Sequence, residues 1–253
     1  MQYQALRKVA ASRLMLFATL SLVFTAVALP VFLFASLSGY LALFPMEAAY
    51  FIDVDSFLIA IDAVVSLPTL GILSLPIIAL FRVYFGARSE HPIRRGGFSL
   101  LRGFMIGMVV VESIATVFGL FLSDGSDYSV LLGTLGTVTS LLIYILSLTA
   151  LEGARDVVTY GFTYRRVPGA MPVLMMISAG LSALTLLLTV LANTVSSLTE
   201  PLNAFRIGTA FAFYAQVGYA VIGLISTVLF ALLCIRGKDA LAQRREIPAY
   251  YGN

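Results

Sequence analysis

The stretch Leu14–Met46, LMLFATLSLVFTAVALPVFLFASLSGYLALFPM, carries no charged residue. Val167–Thr199, VPGAMPVLMMISAGLSALTLLLTVLANTVSSLT, repeats the property. A helix needs about 20 mostly apolar residues to cross roughly 30 Å of hydrocarbon, so each is long enough with residues to spare. Four similar stretches lie between and after them. The reading is an all-α, polytopic membrane helix bundle, a single transmembrane domain over residues 1–253. Its six transmembrane helices are expected at about 14–38, 57–81, 103–123, 129–151, 171–196 and 208–235, followed by a short tail, 236–253.

Composition agrees. The chain is 60% hydrophobic and 11% charged, with a mean hydropathy of +0.97, whereas soluble domains hold about 25% charged residues. The lone Cys234 excludes a disulfide framework and multi-cysteine zinc or iron–sulfur sites. The lone His91 argues against haem bis-ligation and di-iron chemistry. No cofactor and no metal site is expected. The net charge of +3 does not signal nucleic acid, because the basic residues flank the apolar spans.

Those residues sort by side. Arg7, Lys8 and Arg13 precede the first span, and Arg82, Arg88, Arg94, Arg95 and Arg102 join the second to the third. Arg155, Arg165 and Arg166 join the fourth to the fifth, and Arg236, Lys238, Arg244 and Arg245 follow the sixth. Only Arg206 falls with the opposite loops, which carry Glu47, Asp53, Asp55, Asp124, Asp127 and Glu200. The positive-inside rule then puts both termini in the cytoplasm, or in the matrix of an organelle. A bacterial or archaeal inner membrane is the expected location, with the mitochondrial inner membrane as the alternative. The first apolar run is too long for the h-region of a signal peptide and lacks a clean cleavage site, so it reads as a retained helix.

Two acids fall inside spans, Asp62 and Glu112. Insertion scales charge about 2.5–3.5 kcal/mol for an acid such as Asp at a helix centre, which makes such residues functional candidates. Glu112 lies mid-span, and Arg102 is roughly 15 Å away along the same helix at 1.5 Å per residue. An acid so placed is expected to hold its proton unless it lines water or binds a cation. The bland reading is a protonated carboxyl bonded to a neighbouring helix. Asp55 and Asp62 are seven residues apart and share a helix face with Ser66 and Thr69, either a cation-attracting entrance or an acid reaching interfacial water.

Small and polar residues recur at helical spacing: Gly133, Thr137, Ser140, Tyr144 and Ser147 in the fourth span, and Ser178, Ser182, Thr185, Thr189, Asn193 and Ser196 in the fifth. The sixth adds Thr209, Gln216, Gly223 and Thr227. Such faces let membrane helices approach and cross-bond, at about 0.6 kcal/mol per bond. The alternative is a hydrated path lined by Tyr144, Asn193, Gln216 and Glu112. In the second span Pro68, Gly71 and Pro76 form a breaker series that kinks or hinges the helix. Gly103 and Gly107 make a GxxxG helix-contact signal of low specificity.

Between the fourth and fifth spans, Glu152-Gly153-Ala154 is followed by a segment from Gly161 to Pro168. Its placement resembles the coupling loop of ATP-binding-cassette importer permeases, in which an E-A-A triplet, a glycine and a basic stretch ending in proline dock an ATPase. Gly161 comes too late after the triplet for that pattern, so no family is assigned and the segment reads as a basic amphipathic loop at the membrane surface.

Intramembrane aspartyl proteolysis needs a second acid in a G-x-G-D context, and rhomboid-type proteolysis a buried histidine; neither is present in the sequence. The expectation is therefore not an enzyme. Two functions remain: a transporter or channel subunit for a cation, proton or small polar solute, or a non-catalytic structural or accessory subunit of a larger membrane complex. The partners expected are membrane lipids and other membrane subunits or further copies of the chain, with no nucleic acid.

Overall fold

The computed structural model describes residues 2–41, 54–122, 128–165, 168–199 and 204–242, with side chains at 2–32, 71–114, 116–117, 135–165, 168–188, 190–191 and 213–242. These residues form seven helices and no strand: α1 (Gln2–Ala10), α2 (Arg13–Leu41), α3 (Val54–Arg88), α4 (Arg95–Leu122), α5 (Tyr128–Tyr160), α6 (Ala170–Thr199) and α7 (Ala204–Ala242). Each of α2 to α7 contains a window long and apolar enough to cross a membrane. The chain is an all-helical, multi-pass membrane protein.

Most helix ends extend beyond the expected spans. Helix α3 has 35 residues and α7 has 39, about 52 and 58 Å at 1.5 Å per residue. Both exceed the hydrocarbon thickness of about 30 Å, so polar turns that hydropathy alone ends early remain helical. The expected tail from 236 is thus helical as far as Ala242, and its remainder lies outside the described residues.

The chain divides into two compact units. The first holds Met1–Thr19, Ile78–Ser178 and Thr227–Asn253. Here α1, absent from the sequence reading, is a short amphipathic helix. Its positions 2, 6 and 10 are buried while Gln4 and Lys8 are exposed, the four-residue step of one helix face. Leu6 packs with Val157 of α5 and Leu241 of α7, flanked by Tyr3, Ala154 and Val158. Ser12 ends α1 and starts α2: its Oγ accepts the Met15 backbone N–H at 3.3 Å, the bond of an N-cap residue.

Side chains of α1 also satisfy the ends of other helices. Arg7 Nε donates to the Ala87 carbonyl at 2.9 Å, and its Nη2 donates to the Ser89 carbonyl. A cation thus sits where the last carbonyls of α3 lack intrahelical partners. The Tyr3 hydroxyl accepts the Ile93 N–H at 3.2 Å. At the end of α5, Gly161 takes φ 82° and its N–H reaches the Val157 carbonyl at 2.9 Å, a left-handed cap that disfavours any residue with a Cβ.

A second apolar cluster joins three helices: Met171 and Met175 of α6 pack with Ala231 of α7, and Ile143, Leu146 and Ala150 of α5 complete it with Phe230 and Cys234. Helices α3 and α4 approach closely at Gly97, where an added Cβ would lie 2.9 Å from Val83 Cγ2 and 3.0 Å from the Ala79 carbonyl oxygen.

The second unit holds Leu20–Ile77 and Ala179–Ser226. Its α2 and α7 segments meet through Ser21 Oγ, which donates to Ser226 Oγ at 3.1 Å, and through the stacked rings of Phe32 and Tyr219, 5.4 Å between centroids. Helix α3 is continuous through Pro68, Gly71 and Pro76. Pro76 is buried and Gly71 exposed, and Ser74 Oγ donates to the Gly71 carbonyl at 2.6 Å. Such hydroxyl-to-carbonyl bonds bend helices without breaking them.

Candidate functional site

Helices α4 and α5 pack along one another, and this pairing positions the deepest acid. On α4 the exposed positions include Gly103, Ile106, Gly107, Val110, Ile114 and Val117, whereas Met105, Met108, Val109, Glu112 and Thr116 are half-buried. Both sets step by three and four, so they are two faces of one helix. Glu112 belongs to the covered face, within electrostatic reach of Tyr144 on α5. Around its turn, Ser113 Oγ donates to the Val109 carbonyl at 2.6 Å and Thr116 Oγ1 to the Glu112 carbonyl at 2.7 Å.

Among the described residues no cation pairs with the Glu112 carboxyl. The basic residue below it on the same helix, Arg102, is engaged elsewhere: its Nη2 lies 3.6 Å from Glu152 Oε1 of α5. Glu152 also accepts from Arg165 Nη1, and Arg165 Nε lies 3.1 Å from Asp156 Oδ2. The acids of this end of α5 therefore hold two arginines. Glu112 is left within electrostatic reach of a phenol.

The remaining residues singled out in the sequence divide. Tyr144 shares a half-buried to buried stripe with Thr137, Ser140 and Ser147, so the polar face of α5 is turned inward. Gln216 of α7 is exposed in the second unit. The side chains of Asp55, Asp62, Pro68 and Asn193 lie outside the described residues, although each position is helical. On α6, Ser182 and Thr185 are exposed, and Thr185 Oγ1 donates to the Leu181 carbonyl at 3.0 Å. Of these residues, Glu112 and Tyr144 lie within electrostatic reach of each other. Among the described residues no group of three His, Cys, Asp or Glu side chains is arranged to hold a metal ion.

Sequence reasoning missed the cluster around Gln2. Its Nε2 donates to the Leu241 carbonyl at 2.8 Å, and its Oε1 accepts the Thr163 N–H at 2.9 Å. The segment after α5, read as a loop on the membrane surface, is thus tied to α1 and α7. The local trace was the four-residue spacing of Gln2, Leu6 and Ala10, too short a run to identify a docked helix. Comparison with protein-family models, curated proteins and solved structures finds nothing that matches this chain.

Proposed function

We propose that the chain is a transporter or channel subunit that moves a cation, proton or small polar solute, with Glu112 as the group that takes the cation or proton. The observation that carries this reading is a half-buried carboxyl on the covered face of α4, with no cation partner among the described residues and within electrostatic reach of Tyr144. An acid at the centre of a membrane helix costs about 2.5–3.5 kcal/mol on insertion scales, and a permeating cation or proton offsets that cost. The basic helix ends then face the cytoplasm or matrix, and no catalytic residue is assigned.

The test is flux through proteoliposomes that hold a pH-reporting dye, under imposed proton, sodium and potassium gradients. The wild type is expected to dissipate at least one of them, and Glu112→Gln to slow that flux at least tenfold. Equal flux in the two proteins, or none above protein-free vesicles in the wild type, overturns the proposal.

A second reading, a structural or accessory subunit, has its own support. The hydroxyls of Thr19, Thr25, Ser113, Thr116, Thr139, Thr149 and Thr185 donate to carbonyls of their own helices. Polar side chains satisfied in this way need no water-filled path. Extraction in mild detergent distinguishes the readings, because an accessory subunit migrates with a larger assembly.

A further inference from the structure

We infer that the α3–α4 connection is a docking surface for anionic phospholipid headgroups, built from Arg82, Arg94 and Arg95. All three side chains are exposed, and none makes a hydrogen bond or ion pair among the described residues, unlike Arg102 and Arg165, which Glu152 and Asp156 hold. Arg88, at the same end, stays on its own helix: its Nη1 donates to the Tyr84 hydroxyl at 2.7 Å and its guanidinium lies over the Tyr84 ring, 5.3 Å from the centroid. The one acid on the connection is Glu90.

The position sets the partner. The apolar windows of the two helices, Gly71–Arg88 and Arg95–Ile114, end and begin at this connection, so the three guanidiniums lie within a few turns of the hydrocarbon edge. From there their long side chains can extend to the lipid phosphates. A soluble protein would have to reach the same depth to meet them, whereas an anionic leaflet is already there and attracts each surface Lys or Arg by about 1 kcal/mol.

The surface is also held in shape. Ile93 and Phe98 are buried, the Ile93 N–H is bonded to Tyr3, and Arg7 fastens the Ala87 and Ser89 carbonyls. The closeness of α3 and α4 at Gly97 brings Arg82, whose Cβ would lie 3.5 Å from a Cβ at that position, alongside the first turn after Arg94 and Arg95. Holding in place the backbone that carries the three arginines removes part of the entropy cost of engaging lipid.

The experiment equilibrates the purified full chain in micelles containing equal phosphatidylglycerol and phosphatidylcholine, then measures retained lipid by native mass spectrometry. The wild type is expected to retain phosphatidylglycerol preferentially and to lose that preference in 0.5 M salt. Each arginine removed should weaken retention roughly fivefold at low salt, so the triple variant R82Q/R94Q/R95Q loses nearly all of it, while R82K/R94K/R95K keeps most. If the triple Gln variant does not fold, Arg94→Gln alone and the salt titration of the wild type decide. Equal retention in wild type and Gln variants, equal enrichment of the zwitterionic lipid, or displacement by millimolar glycerol phosphate overturns the inference, the last by pointing to a soluble ligand.

Discussion

Gln2 and Thr163, 161 positions apart in sequence, are joined amide to backbone: Oε1 of Gln2 accepts the Thr163 N–H at 2.9 Å while its Nε2 lies 3.4 Å from the Thr163 carbonyl. The same Nε2 donates to the Leu241 carbonyl at 2.8 Å. One buried side chain therefore ties the first helix to the segment after α5 and to the last turn of α7. Few side chains combine a donor and an acceptor at that reach, and the glutamine amide is one.

Gln2→Leu keeps the size but strands the Thr163 N–H and the Leu241 carbonyl. Each stranded buried group costs about 1–3 kcal/mol, so the variant should lose about 2–6 kcal/mol, read as a lower midpoint of thermal unfolding in detergent. Amide exchange should accelerate at 161–165 and in the last turn of α7. Gln2→Glu should be at least as harmful, because a carboxylate oxygen would then face the Leu241 carbonyl. Unchanged exchange in both variants would refute this role.

Val157 is fully buried between Leu6 and Leu241. Val157→Ala removes two methyl groups, about 1.6 kcal/mol at 0.8 kcal/mol each before any cavity term. Leu6→Ala should cost about 2–5 kcal/mol. Because the two residues share one contact, the double variant should cost less than the sum of the singles. Chemical denaturation of the four proteins measures the coupling, and simple additivity would show that α1 is not anchored there.

How far the sequence led is visible in these residues. Glu112 stood out because an acid in a long apolar run is conspicuous in any reading, and the apolar windows announced the six spanning helices. Helix α1 did not, since nine residues carry too little periodicity to distinguish a docked amphipathic helix from a charged leader. Arg7 and Lys8 read together as topology signals, yet Lys8 is exposed while Arg7 closes the end of α3. Contacts with partners 80 to 239 residues away leave no local signature. The polar stripe of α5 was legible as a face, but its turn toward protein depends on α4, which spacing alone does not locate.

Glu152 bridges Arg102 and Arg165 with its side chain 29% exposed. At that exposure an ion pair is worth about 0.2–1 kcal/mol and is screened by salt. Glu152→Gln should therefore lower stability by no more than about 1–2 kcal/mol at low ionic strength, with the difference shrinking by 1 M salt, where the Debye length is about 3 Å. Unfolding at the two ionic strengths measures it. A loss that salt leaves intact would mean that Glu152 acts through packing and not through charge.

The glycines of α4 make opposite predictions from one helix. In an exposed helix interior, Gly→Ala gains about 0.8–1.0 kcal/mol in propensity, and at Gly103 and Gly107 an added Cβ meets nothing within 4 Å. Gly103→Ala should then be neutral or stabilising for the isolated chain. At Gly97 the same methyl group would sit 3.0 Å from the Ala79 carbonyl oxygen and 2.9 Å from Val83 Cγ2. The valine can turn, but the carbonyl belongs to the backbone of α3 and cannot move without shifting that helix. Overpacking of this kind costs about 1–3 kcal/mol, enough to outweigh the propensity gain. Gly97→Ala should lower the unfolding midpoint while Gly103→Ala does not. A Gly103→Ala variant that is destabilised only at high protein-to-detergent ratio would instead reveal self-association through the GxxxG face, which dilution into excess detergent would reverse.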